Sequence, residues 1–494
     1  MASVCFDLAI IGCGAVSVSL LHQLKLAFDK NKPRDNYTIS VFESSAKLGS
    51  GYAYSVASDE LLLNSRRDEM GISPDHPESF KLCLQQRGVG EEAGAFVCRR
   101  QFSAYIASEM ASLIASDAYE ITIISQPVTH FIAKEGHTSI AHEGGLVTAT
   151  HTVIAHGGYP LSPYPDYSHH VVRNMYQPAS IADIPDNSRV LILGSSLSMA
   201  DACLLLREQH CCENDSRDPN KNYAIEIAST NGYFPALKHA VIDKPYGQKI
   251  SAKCGEFFET NAVNAHSLIA FIDEVLSDYY QCSVSITELQ TCYELSVEEL
   301  GGSRIHQSYD PYNLSPIAPY LDDCVNWVWP ELSERDRTRL SPLVRYLLRF
   351  ICGIPEVNML KIRQFLNEPE KQIKRITNLT YSGNHYTAHF RDRSEKEFDY
   401  VIDCAGIAGY YSPSNPQALA KNIRSQGQLQ LTKKYGLAIN ERCQTLSTTG
   451  SVNSQLFAVG IVTDGANFIR HDFSFYSGHA AKVVDEITRQ MNHS

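Results

Sequence analysis

Residues 4–28, VCFDLAIIGCGAVSVSLLHQLKLAF, decide the fold. Positions 4–12 are nearly continuous in apolar residues, the pattern of a strand in a parallel sheet covered on both faces. Apolar residues then recur at helical spacing, at Val16, Leu20, Leu21, Leu24, Ala27 and Phe28. Gly12-Cys13-Gly14 joins the two. A polar turn, DKNKPRDN, leads to a second strand, YTISVFES, at 37–44. The order strand, glycine bend, helix, strand predicts a β-α-β unit.

That bend suits a diphosphate. Gly12 permits the tight turn, Gly14 lets the main chain approach the anion, and the helix beginning at Ala15 offers its N-terminus. The third glycine of G-x-G-x-x-G is replaced by Ser17, a small change. Glu43 ends the second strand, where an acid bonds the ribose hydroxyls of an adenine dinucleotide. Its separation from Gly12 exceeds the usual ~20 residues, because DKNKPRDN lengthens the helix–strand connection. Glu43 by itself also fits a solvated strand end. Together, strand order, bend and acid predict dinucleotide binding.

A second unit of the same kind follows: strand SRVLILG (188–194), helix SSLSMADACLLLREQ (195–209), polar loop and strand YAIEIAS (223–229). Its bend is worn. Gly194 is kept, but Ser196 stands where a second glycine is expected, and Ser198 follows. The strand end carries Ser229, Thr230 and Asn231, with no cation for a 2′-phosphate and no acid for a ribose. Glu226 reads as pointing along the strand, and Lys238 is the nearest cation. Three further strand ends carry glycine turns: AHGGYP (155–160), CAGIAG (404–409) and LFAVG (456–460).

Other stretches fill in the organisation. Residues 121–132 and 145–155 read as antiparallel strands, and a similar pair returns at 376–390 and 398–406. Residues 241–372 carry amphipathic helical patterns, with WVWP at 327–330 and a tyrosine-rich turn at 309–320. Trp327 and Trp329 read as packing residues. A C-terminal helix is expected over 475–490.

Composition narrows the function classes. A chain of 494 residues holds about three units of ordinary size. With 43 Lys plus Arg against 55 Asp plus Glu, the net charge is −12, which argues against a general nucleic-acid binder. No run approaches the roughly 18 apolar residues that span a bilayer. The N-terminal stretch lacks a basic region and carries Asp7, so it reads as a buried strand, and a cytoplasmic location is expected. The 14 cysteines read as free thiols. No C-x-x-C occurs, which removes the usual metal knuckle and redox pair, and the vicinal Cys211-Cys212 sits in a polar loop. His151, His156, His169 and His170 lack partners at ligand spacing, so no metal is expected. No G-x-S-x-G supports a serine hydrolase.

The recurring strand-end glycine turns resemble those of two-dinucleotide-binding-domain flavoproteins. More narrowly, GSGYAYSVASDELLLNSRRDEMG (49–71), CRRQFSAYI (98–106) and LILGSSLSMADACLLL (191–206) resemble segments of a bacterial FAD/NAD(P)-binding family. That family is distantly similar to lysine and ornithine N-hydroxylating flavin monooxygenases. The resemblance implies that Gly12, Gly14 and Ala15 face the FAD pyrophosphate and Glu43 the adenosine ribose. It implies Gly51 and Tyr54 along the flavin side, Asn64 near the isoalloxazine, and Arg99 or Arg100 at the phosphates or ribityl chain. Val128 would offer backbone hydrogen bonds to adenine, and Gly157, Gly406 and Gly460 would be close-approach turns. For the arginines a surface pair at a helix start is the alternative, and for Asn64 a turn-capping role. The last turn departs from the family, with Gly460-Ile461 in place of Gly-Asp; Asp464 is a possible substitute, and Asn467 lies at the helix entry. His156 replaces a common threonine.

The expected architecture is α/β: a discontinuous Rossmann-like FAD domain (1–165 and 376–494) with an inserted Rossmann-like NAD(P) domain (166–375) that carries a helical elaboration from about 241. The expected function is an FAD-dependent NAD(P)H oxidoreductase, monooxygenase-like, acting on a small metabolite such as an amine, with NADPH or NADH as donor. The alternative is a flavin- or nucleotide-binding protein with altered catalysis that acts as a sensor or partner-binding module. No catalytic acid, base or nucleophile stands out, and oligomeric state and substrate stay open.

Overall fold

The computed structural model describes residues 4–492 apart from 32–35, 46, 57, 135, 159–169, 211–222, 300–301, 304–311, 367–371, 407–408 and 467–472. Two compact units emerge. One comprises Met1–Asp59, Ser65–Leu161 and Ile407–Ser494; the other comprises Glu60–Asn64 and Ser162–Gly406.

The first unit opens with β1 (Val4–Ile11), α1 (Ala15–Lys30) and β2 (Thr38–Phe42). Leu8, Ala9 and Ile10 are fully buried, as the apolar run requires. Asp7 is accommodated because its carboxylate accepts from the Thr38 amide at 2.8 Å and the Thr38 hydroxyl at 3.1 Å. Next come α2 (Gly51–Tyr54), α3 (Ser79–Gln86), α4 (Arg99–Ile114), β3 (Glu120–Ile124), β4 (Val128–Lys134), β5 (His137–His142) and β6 (Gly145–Ile154). β1 pairs in parallel with β2 on one side and β6 on the other. The stretch expected as a single antiparallel strand, 121–132, is instead two. Pro127, which has no N–H to give a ladder, separates β3, parallel to β2, from β4, which meanders back through β5 to β6.

The second unit contains β7 (Val171–Val172), α5 (Pro178–Ala182), β8 (Arg189–Leu193), α6 (Leu197–His210) and β9 (Ala224–Ser229). A minimal parallel pair, β10 (Leu237–Lys238) and β11 (Ile354–Pro355), brackets a helical stretch. Its helices are α7 (Lys244–Thr260), α8 (Ala265–Tyr280), α9 (Ile286–Glu299), α10 (Ala318–Val328) and α11 (Glu334–Ile351). Then follow α12 (Glu356–Leu366), β12 (Ile373–Ser382), β13 (His385–Phe390), β14 (Glu395–Phe398) and β15 (Tyr400–Asp403). The sheet order is β14-β13-β12-β9-β8-β15-β7. Residues 376–406, expected to return to the first domain, lie in this sheet. β12 begins parallel to β9, and β15 runs parallel to β8. Tyr386, Ala388 and Phe390 alternate inward from β13 into a core shared with Leu191 and Leu193.

The first unit resumes with α13 (Ala418–Gln426), β16 (Gln444–Leu446), β17 (Val452–Ala458) and α14 (Phe473–Met491). β17 joins β6 in parallel, completing the order β16-β17-β6-β1-β2-β3. No helix among the described residues is long and apolar enough to cross a membrane.

On α14, the buried Glu486 accepts from Arg489, Gln490 and Arg442. Arg489 above all holds its carboxyl down at about 2. A folded-state value below the unfolded one means that ionised Glu486 stabilises the fold above about pH 4.5, and that this support is lost as pH falls toward 2. Glu486→Gln is expected to show a shallower loss of urea midpoint between about pH 5 and pH 3 than the parent chain. Equal slopes would show that Glu486 does not carry this acid sensitivity.

Candidate functional site

The bend after β1 is fixed by backbone sterics. Gly12 adopts φ +100°, and a Cβ there would sit 2.3 Å from the His156 Cα and 2.7 Å from the Ala155 carbonyl oxygen, at the end of β6. Its amide donates to the Phe42 carbonyl at 2.8 Å, at the end of β2. The bend is thus clamped between both neighbouring strands. Gly14 differs. Its backbone is extended, and a Cβ would meet nothing nearer than the Gly51 Cα at 3.8 Å. It caps α1 without any side-chain hydrogen bond, leaving the face above the helix N-terminus to the main chain. Buried Ser17, where a third glycine was expected, donates its hydroxyl to the Gly12 carbonyl at 2.8 Å and so closes the bend from beneath.

Glu43 reaches into this bend. One carboxylate oxygen accepts from the Cys13 amide at 2.9 Å and the other from the Ser45 amide at 2.8 Å. A carboxylate has about four acceptor positions, so lone pairs remain for ribose hydroxyls. Gly49, not singled out in the sequence, donates its amide to the Cys13 carbonyl at 2.8 Å, and a Cβ there would lie 2.7 Å from Ile106. Burial pushes the Cys13 thiol up to about 12, so it stays protonated.

His156 is the other feature missed. Its Nδ1 lies 3.0 Å from the Gly157 carbonyl and its Nε2 3.1 Å from the Tyr411 hydroxyl. A carbonyl only accepts, so Nδ1 carries the proton and Tyr411 donates to Nε2. The residue keeps some exposed surface, but its ring centroid lies 3.9 Å from that of Tyr410, and burial pulls its pKa down to about 4. It is a neutral strut that pins the turn against Gly12.

The second bend repeats the backbone contacts of the first. Gly194 has φ +120°, donates to the Ala228 carbonyl at 2.7 Å, and would place a Cβ 2.1 Å from the Cys404 carbonyl oxygen, at the end of β15. By register, Ala228 corresponds to Phe42, Cys404 to Ala155 and Gly406 to Gly157. Gly157 and Gly406 both have positive φ, +77° and +109°, and a Cβ on either would meet nothing within 4 Å. Ser196, exposed, takes the place of Gly14, and its carbonyl accepts the Met199 amide at the start of α6. The Ser198 carbonyl accepts from the Cys404 thiol at 3.3 Å. Ser229 stands where Glu43 does and accepts the Ser195 hydroxyl at 2.9 Å. Glu226 does not simply point along its strand: it is buried and paired with Lys396 at 2.8 Å. Lys238 donates to the Ile351 carbonyl at 3.3 Å.

The remaining sequence candidates scatter more. Gly51 faces Gly14, and Tyr54 packs edge-on against Phe102 with centroids 4.7 Å apart. Arg99 is buried at the start of α4, so a surface pair does not describe it, whereas exposed Arg100 meets Asp59 at 2.7 Å. Val128 is buried at the start of β4. Gly460 has φ +84° and lies over Val16. Asp464 stands 3.7 Å from Lys434. Asn64 falls in the second unit, in a segment anchored there by Glu60, which binds Arg207 and Lys361 at 2.9 and 3.0 Å. Asn467, His169 and Cys211-Cys212 lie outside the described residues. Trp327 is 59% exposed and meets Phe258 in a T-shaped contact with centroids 6.3 Å apart, so the packing role expected of it is slight. Among the described residues no group of three His, Cys, Asp or Glu is placed to hold a metal.

Residues 9–158 match the FAD-NAD(P)-binding family model. The match runs from β1 through the Gly12 bend and Glu43 to the turn after β6. No curated protein matches the chain. Among solved structures, the ornithine N-hydroxylase of Kutzneria sp. 744 is similar at 12% identity and TM-score 0.60, covering 98% of this chain and 99% of that one. The L-lysine 6-monooxygenase of Pseudomonas syringae is similar at 14% identity and TM-score 0.58, with coverage of 98% and 99%. These likenesses show a two-domain FAD/NAD(P) flavoprotein fold.

The two glycines of the first bend are expected to fail differently. Gly12→Val forces a side chain into the β6 main chain, and the positive φ alone costs about 1–3 kcal/mol, so its melting temperature should drop. Gly14→Val has room in the folded chain and should keep the parent melting temperature while losing retained flavin. Flavin retained by folded Gly14→Val would contradict the assignment of that face.

Proposed function

We propose that this chain is an FAD-dependent NAD(P)H oxidoreductase of the monooxygenase kind, with FAD on the first unit, a nicotinamide nucleotide on the second, and a small amine-bearing metabolite as substrate. The carrying observation is the Gly12 bend, clamped on two sides yet open above Gly14, with Glu43 in reach of it. The residues present suit the group: Gly14 and Gly157 leave space that a side chain elsewhere would fill, and the uncapped start of α1 favours an anion.

Bound FAD would supply acceptance of hydride from the nicotinamide and delivery of electrons to oxygen or another acceptor. The chain's own part is orientation. Cys13, Gly14 and Ala15 present main chain to the diphosphate, and Glu43 accepts from the ribose. His156, uncharged above about pH 4, keeps the adjoining turn rigid without adding a charge beside the cofactor. The amine class rests on the two neighbours described as acting on ornithine and lysine. A cytoplasmic location is part of the same reading.

One observation favours a second reading, a nucleotide-binding module with altered catalysis: the second bend carries a side chain at Ser196 and no acid at Ser229. An absorbance spectrum of the purified protein separates the two. Yellow protein that bleaches anaerobically on addition of NADPH or NADH is expected of the oxidoreductase. Yellow protein indifferent to both would support the module, and protein that neither carries nor takes up FAD would overturn both.

A further inference from the structure

Helices α7 and α10 of the second unit lie side by side and run the same way, as three facing layers show. A Cβ on Gly247 of α7 would fall 2.2 Å from the Tyr320 ring of α10, so the bare position receives the ring. Further along, Cys254 of α7 meets Cys324 of α10, thiol to thiol. About one turn beyond, Phe258 of α7 meets Trp327 of α10. Residues three and four apart are neighbours on a helix surface, so 247, 250, 254 and 258 form one stripe on α7, and 320, 324 and 327 form one on α10. The two cysteines occupy the same layer of this seam.

Both cysteines are buried and both are free thiols. The Cys324 thiol is turned toward α7. Its sulfur lies 3.9 Å from the Ile250 carbonyl oxygen, one turn before Cys254, and it donates to the Cys254 sulfur. That hydrogen bond pulls the Cys254 thiol down and pushes the Cys324 thiol up, so Cys254 ionises first and Cys324 keeps its proton. The thiolate is the nucleophilic form of cysteine. Two sulfurs already in hydrogen-bond contact need no more than about 2 Å of further approach to reach the ~2.05 Å of a disulfide. The seam borders solvent, because Ser251, Ala252, Asp323 and Trp327 beside the pair are exposed.

We infer that Cys254 and Cys324 are a redox pair, which a peroxide closes to a disulfide that locks α7 onto α10 and a dithiol reopens. The Cys254 sulfur attacks one oxygen of hydrogen peroxide. The O–O bond breaks, an S–O bond forms, and hydroxide leaves with the Cys254 proton as water. The Cys324 sulfur then attacks the Cys254 sulfur. The S–O bond breaks, the S–S bond forms, and the second hydroxide leaves with the Cys324 proton as water. Two thiols give up two electrons, and one peroxide becomes two waters. A dithiol restores both thiols by exchange and is itself oxidised. The link closes a loop that contains α8 and α9, so it restrains the helical stretch and not the two turns alone. In a reducing compartment such a bond is transient and senses oxidant. None of this needs a nucleotide on either unit.

The test uses the purified full chain, reduced with dithiothreitol, freed of it, and then treated with hydrogen peroxide. After alkylation and digestion, mass spectrometry without reductant is expected to find the Cys254 and Cys324 peptides separate before peroxide and joined after it. Dithiothreitol added to the folded, linked chain should part them again. Hydrogen exchange over 244–260 and 318–328 should slow about tenfold or more on linkage. Cys254→Ser and Cys324→Ser should each abolish the joined peptide and the slowing; the parent chain carries the test by itself if a serine variant fails to fold. Cys254 and Cys324 still fully alkylated after peroxide has oxidised the exposed Cys5, Cys282 and Cys292 would overturn the inference, and so would Cys254 joined to a different cysteine. Joined peptides with unchanged exchange would overturn the lock, and a link that dithiothreitol opens only in the unfolded chain would overturn its reversal.

Discussion

At the end of β1 there is no room for a side chain. The Gly12 Cα approaches the turn leaving β6 so closely that a methyl group would overlap the His156 main chain, and the same holds for Gly194 against Cys404. This contact lets β1 and β8 each pass directly into a helix while the bend stays hydrogen-bonded to the strand beside it. The consequence is a helix N-terminus at the sheet edge with main chain exposed above it. Anion binding follows from that geometry, because the unsatisfied amides of a first helical turn and the helix dipole both favour negative charge.

Given the same bend twice, the difference between the units lies in what surrounds it. The first has bare glycine at position 14, an acid at 43 and a neutral histidine bracing the neighbouring turn. The second has serine at 196 and serine at 229. Loss of the acid removes a ribose acceptor.

Much of this was legible in the chain itself. The positive φ of Gly12 and Gly194 demands glycine, so the bends show in the sequence, and Glu43 shows because it ends a short apolar strand. What stayed hidden depends on register. Residues 376–406 alternate like any half-buried strands, and only the pairing of β12 with β9 and β15 with β8 puts them in the second sheet. Pro127 is plain in the sequence, but that it divides one strand into a piece parallel to β2 and a piece antiparallel to β5 depends on which strands lie beside it. His156 looked like a replaced threonine; its tie to Tyr411 comes from a return segment far along the sequence.

The most direct test of the account is an experimental structure of the chain with FAD. The expected result is the diphosphate within hydrogen-bond distance of the Cys13, Gly14 and Ala15 main chain, with a ribose hydroxyl on Glu43. A flavin nucleotide bound elsewhere, with Glu43 turned to solvent and the Gly12 bend empty of phosphate, would contradict it.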